Sequence, residues 1–208
     1  MACSAPEPVA SAPEVEPTAA GPMPSSWVEE RLDDARTRLS ATPAGQKVWS
    51  AIEAHGGLRS WLAAGTVSFD FDYRPVNDPT ARRHTHQRID LWRSHAVHES
   101  LDVDGVRFGW NGTEAWMVPN IDAFPSPARF WSLTPYYFLG MPFVLGDPGA
   151  QFEDLGQEGL DGQPYDLVKV TYAPGTGDAP DDYYILYLHP ETHRMEALRY
   201  VVSYPGFA

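Results

Sequence analysis

The sequence predicts an α+β domain: N-terminal helices, then an antiparallel meander interrupted by a short helical insert. Three observations predict it. Apolar residues recur at helical spacing before residue 66. From Thr66 the period becomes two, with Val67, Phe69, Phe71 and Tyr73 alternating with Thr66, Ser68, Asp70 and Asp72. Turn dipeptides then separate the strand-like runs by too few residues for parallel crossovers. The chain has 208 residues, 43% hydrophobic and 21% charged, which is enough to bury a core.

Ser25 or Ser26 is placed to cap a first helix running to about Leu39, with Glu29 at capping-box spacing. Val28, Leu32, Ala35 and Leu39 form its apolar stripe. Thr42-Pro43 starts a second helix, which stops at Gly56-Gly57, and a turn of helix follows through Trp61-Leu62. After the strand beginning at Thr66, further strands are predicted at about 83–92, 95–103, 106–110, 113–118, 151–157, 165–172, 183–189 and 194–204. Asp104-Gly105, Asn111-Gly112 and Asp161-Gly162 read as two-residue hairpin turns, and residues 190–193 as a longer loop. The run Tyr183 to Leu188 is apolar on both faces, so both need cover, one from the N-terminal helices and the other from the insert. That insert, Pro119 to Pro148, carries Ser126-Pro127 and Thr134-Pro135, which predict two short helices. It is the most aromatic segment of the chain, and reads either as ordinary core or as a lid over an apolar cavity.

Charge excludes some functions. Lys+Arg is 15 against Asp+Glu 28, a formal net charge of -13, which repels nucleic acid and anionic lipid headgroups. No run is apolar enough for a transmembrane helix. The single cysteine, Cys3, excludes an internal disulfide framework and multi-thiolate zinc sites. Among the seven histidines, His84 and His86 share a strand face and are a plausible ligand pair, whereas His95 and His98 point to opposite faces. A two-residue turn at Arg93-Ser94 would pair His86 with Leu101, so the two sets do not converge. His55 sits at a helix C-terminus, where the dipole favours a cation. There is no Gly-x-Ser-x-Gly elbow, the adjacent acids Asp33-Asp34 and Asp181-Asp182 read as solvated, and Gly175-Thr176-Gly177 lacks the P-loop lysine. No catalytic residue, metal site or cofactor is assigned on these grounds.

Residues 1–24 read as a flexible tether ahead of a domain spanning 25–208. The tether holds six prolines, no aromatic residue and only Glu7, Glu14 and Glu16 as charges, so it cannot offset its ordering entropy. Random-coil scaling gives it a reach of roughly 25 Å. Ala2-Cys3-Ser4 followed by this tract resembles the start of a bacterial lipoprotein after signal-peptide removal. That resemblance implies lipidation at Cys3 and a place in the bacterial cell envelope, facing the periplasm.

A wider resemblance covers roughly residues 44–208. It rests on Ala54-His55-Gly56-Gly57 ahead of a tryptophan and a first strand, and on Tyr136-Tyr137 and Pro142-Phe143-Val144-Leu145 in the insert. The hairpin Leu188-His189-Pro190-Glu191-Thr192, leading into Met195-Glu196-Ala197-Leu198-Arg199-Tyr200, completes it. The pattern is similar to envelope proteins of the lipoprotein-carrier (LolA/LolB-like) superfamily, in particular an uncharacterised lipoprotein branch. The resemblance implies an unclosed antiparallel β-barrel, a half-barrel, with helices over an apolar concavity. It implies binding of an acyl chain or another hydrophobic molecule, without chemistry. Such domains carry further strands after the equivalent of Val201-Val202-Ser203-Tyr204, so the last strand here is an edge open to a protein partner.

The expected ligand-binding residues are Phe130, Trp131, Tyr136, Tyr137, Phe138 and Phe143 in the insert, with Trp110 and Trp116 on the sheet. Two other readings stay open. One is a metal-dependent hydrolase using His84, His86 and an acidic partner. The other is a structural, protein-binding envelope module.

Overall fold

A computed structural model describes residues 23–176 and 181–203. Cys3 and all of the tether up to residue 22 lie outside the described residues. The chain divides into two compact units. One is Thr66–Leu133. The other combines residues 23–65 with residues from Thr134 onward.

The first unit is a five-stranded antiparallel sheet. Its strands are β1 (Thr66–Tyr73), β2 (Arg83–Asp90), β3 (His95–Ser100), β4 (Arg107–Trp110) and β5 (Ala115–Val118), adjacent in chain order. One face carries Phe69, Phe71, Thr85, Gln87, Ile89, Ala96, His98, Phe108 and Met117, because residues paired across strands share a face. Against it pack Phe124 and the first half of helix α4 (Ala128–Leu139). Phe108 lies 4.6 Å from Phe124, and Trp131 lies 6.1 Å from Phe71 and 5.4 Å from Tyr73, ring to ring.

The second unit holds α1 (Ser25–Ser40), α2 (Pro43–Ala54), α3 (Leu58–Ala63) and a four-stranded antiparallel sheet. Its strands are β6 (Ala150–Leu160), β7 (Gln163–Tyr172), β8 (Tyr183–Leu188) and β9 (Met195–Val201). Val28, Leu32, Ala35 and Leu39 are the buried residues of α1, as their spacing predicts. They meet Val48 and Ile52 of α2, Leu145, and the Val168, Val170, Tyr184, Leu186 and Leu188 face of the sheet in one apolar core.

The predicted class holds: α+β, antiparallel, in meander order, with N-terminal helices and neither sheet closed. Several local expectations need correction. The cap of α1 is Pro24 without a side-chain bond, and Glu29 instead engages Arg59. Thr42 does cap α2, accepting from Gly45 N at 3.1 Å. The insert holds one α-helix with Pro135 inside it, then a 3-10 turn at Phe143–Gly146. Pro127, whose carbonyl accepts from Trp131 N at 3.0 Å, already starts that helix, so Pro135 costs it one backbone bond without beginning another.

The aromatic end of the insert joins the same core as the N-terminal helices. The opposite face of β7 and β8 forms its own small cluster of Tyr165, Leu167, Ile185 and Tyr187. Only Asp161-Gly162 forms a two-residue hairpin, with both residues at positive φ (52° and 85°). The loops holding Asp104-Gly105 and Asn111-Gly112 are longer. Asp90 pairs with His95 across a four-residue turn, because the Asp90 carboxylate accepts from the backbone N–H of Trp92 and Arg93.

Candidate functional site

The eight expected ligand-binding residues divide between the two units. Trp110, Trp116, Phe130 and Trp131 belong to the first, and Tyr136, Tyr137, Phe138 and Phe143 to the second. Within the first unit Trp131 is buried and lies 6.3 Å from Phe130, ring to ring. The Arg83 guanidinium sits 5.4 Å from the Trp131 ring, and that of Arg129 sits 3.9 Å from Trp110. Trp110 pairs with Ala115 and faces the same way as Phe108. Trp116 pairs with Gly109 and therefore lies on the other face, so the sheet tryptophans are not brought together. A Cβ on Gly109 would stand 2.9 Å from the Trp116 ring, so only glycine lets the indole lie flat there.

In the second unit the four residues enter two aromatic groups. Trp61 stacks against Phe143 at 4.9 Å and against Tyr136 at 6.1 Å. Tyr137 lies 5.5 Å from Tyr184 and its hydroxyl hydrogen-bonds that of Tyr172. Phe138 lies 4.9 Å from Tyr200, which in turn stacks on Tyr184 at 6.2 Å. Exposure rises along this run, from 7% at Tyr184 to 47% at Tyr200. The run is therefore continuous from core to surface. Burial pushes the phenols of Tyr136, Tyr172 and Tyr184 well above their ordinary range, so they stay neutral donors. Trp61, Tyr172, Tyr184 and Tyr200 were not among the expected residues. Tyr184 and Tyr200 are direct cross-strand partners, and a register between two strands joined by a six-residue loop is not written in either strand alone.

The histidines do not assemble as a metal pair. His84 Nδ1 lies 3.0 Å from Arg82 and 3.5 Å from Asp102, whereas His86 turns to Asp70 and Ser68. No group of three or more metal-ligating side chains occurs among the described residues. The register places His86 opposite Glu99 rather than Leu101, two residues from expectation, because the preceding turn has four residues. At His55, burial lowers the pKa and outweighs the expected helix-end preference for a cation. His98 is fully buried, stacked 4.4 Å from Phe108, and its Nε2–H donates to the Ser132 carbonyl at 2.8 Å. Burial lowers its pKa to about 4. Its Nδ1, and the Oε1 of its cross-strand partner Gln87, are buried without a hydrogen-bond partner.

No family model matches the chain, and no curated protein matches it. Among solved structures, the crystal structure of the Mycobacterium tuberculosis lipoprotein LppX is similar at 14% identity. The match covers 76% of this chain and 87% of that one, with a TM-score of 0.31.

Proposed function

We propose that this is a lipid-anchored envelope protein, held by acylation at Cys3, that binds a hydrophobic molecule without transforming it. The observation that carries the reading is the aromatic run from Tyr184 through Phe138 to Tyr200, which joins a buried apolar core to exposed apolar surface. Aromatic faces supply apolar contact area, while the hydroxyl pair of Tyr137 and Tyr172 offers hydrogen bonds to a polar head. In the first unit the corresponding candidates are Phe130, which lies against the buried Trp131, and Trp110. The exposed Val201 of edge strand β9 is the position from which a protein partner would extend the sheet.

Native mass spectrometry of protein extracted from its own membrane tests both halves. The expected spectrum shows an acyl increment on the N-terminal peptide and a second, dissociable apolar mass. Absence of the first removes the anchor. Absence of the second, with no uptake of added palmitate, removes the binding activity.

A further inference from the structure

The face of the five-stranded sheet opposite Phe108 carries groups that apolar binding does not use. Asp70 and His86 are direct partners across β1 and β2, and Ser68 lies two residues before Asp70 on the same face. His86 Nδ1 is 2.6 Å from Asp70 Oδ1, and His86 Nε2 is 2.9 Å from Ser68 Oγ. A carboxylate only accepts, so the proton of the first contact resides on Nδ1. With Nδ1 carrying the hydrogen, Nε2 is the nitrogen left facing the Ser68 hydroxyl, the tautomer that a general base requires. Ser68 Oγ–H is also within donating distance, 3.1 Å, of the Gln87 carbonyl oxygen, so that carbonyl and His86 Nε2 share the one hydroxyl proton.

We propose that Ser68, His86 and Asp70 form an acyl-transfer centre for esters of apolar carboxylic acids. Ser68 Oγ attacks the ester carbonyl carbon as its proton passes to His86 Nε2. The bond to the leaving alcohol breaks as His86 returns that proton to the alcohol oxygen, leaving an acyl-serine. Water attacks the acyl-serine by the same route, releasing the carboxylic acid and restoring the hydroxyl. Asp70 keeps Nδ1 protonated and steadies the imidazolium.

The acyl class follows from the row of successive cross-strand partners that starts at Ser68: Arg88, Val97, Gly109 and Trp116. With strands about 4.8 Å apart, that row extends roughly 19 Å across the sheet. Val97 and Trp116 line it with apolar surface, and Arg88, the direct cross-strand partner of Ser68, puts a cationic residue on the face where oxyanion charge would develop. The His86 and Asp70 side chains are 40% and 63% exposed, so water is not excluded and activated esters are the substrates that react fastest. This inference uses residues other than those of the apolar-binding reading, so either can fail while the other stands.

The full chain is incubated with a decyl fluorophosphonate, followed by intact mass and peptide mapping. One adduct at Ser68 is expected, absent in Ser68→Ala and formed at least about tenfold more slowly in Asp70→Asn and His86→Gln. Hydrolysis of p-nitrophenyl decanoate falls in parallel, and Trp116→Ala raises KM for the decanoate more than for the acetate. No wild-type adduct at Ser68, or equal decanoate hydrolysis by Ser68→Ala, overturns the proposal. The wild-type mapping decides the question even where a variant folds poorly.

Discussion

The two sheets bury different chemistry. Thr85, Gln87, Asp90, His98, Ser126 and Ser132, the buried polar side chains among the described residues, all belong to the unit Thr66–Leu133. The main core of the other unit is built from aliphatic and aromatic side chains, from Leu39 and Ile52 to Val168 and Leu186, with tyrosines as its polar-tipped members. An apolar core stabilises in proportion to the area it removes from water. A buried polar group costs free energy unless it is bonded, and His98 and Gln87 each keep an atom without a partner. The helix-backed unit is thus built for stability, while the first unit carries polar groups that stability alone does not select. The outward face of that same first unit holds the Ser68, His86 and Asp70 chain.

The largest effect expected from this contrast is in the second unit. Leu186 is fully buried, and Leu186→Ala should cost about 3 kcal/mol or more, read as a lower urea midpoint. A loss below about 1 kcal/mol would mean that this core is loosely packed. The next effect is a pH dependence from His98. Its folded pKa of about 4 lies below the ordinary 6.5, so the unfolded chain takes up the proton first on acidification. Its contribution is complete above pH 6.5 and falls away between pH 6.5 and about 4, amounting to about 3 kcal/mol. His98→Phe should flatten the stability profile in that window, and an unchanged slope would place the titrating group elsewhere. The smallest effect sharpens the comparison most. Gln87→Leu removes an unbonded acceptor together with the Gln87 Nε2–H bond to Thr85 Oγ1, two effects of opposite sign, and should leave stability within about 1 kcal/mol of the wild type. A loss as large as that of Leu186→Ala would show that Gln87 is held by bonds that stabilise the sheet.

How much of this was legible in the sequence depends on how local the signal is. The burial of Val28, Leu32, Ala35 and Leu39, the Thr42 cap and the Asp161-Gly162 turn each depend on a few neighbouring residues, and each was readable. The single helix through Pro135 was not, because Thr134-Pro135 looks like a start wherever it stands. The four-residue turn after Asp90 was hidden for a similar reason. An aspartate side chain capping the N–H groups of Trp92 and Arg93 leaves no dipeptide signature, and it moved the β2–β3 register by two residues. The aromatic content of the insert was plain, but its division between two units was not, since the break falls within α4. Ser68, Asp70 and His86 were each visible as residues of alternating strands. Their meeting depends on the β1–β2 register, which a nine-residue connection leaves undetermined.

The proposed binding reading places a hydrophobic molecule along the aromatic run of the helix-backed unit. Its most direct test is photo-crosslinking with palmitate carrying a terminal diazirine, followed by peptide mapping. Saturable labelling is expected at Phe138, Tyr184 and Tyr200, competed by unmodified palmitate and lost in Phe138→Ala. Labelling that does not saturate, or that falls only on residues away from this run, would contradict it.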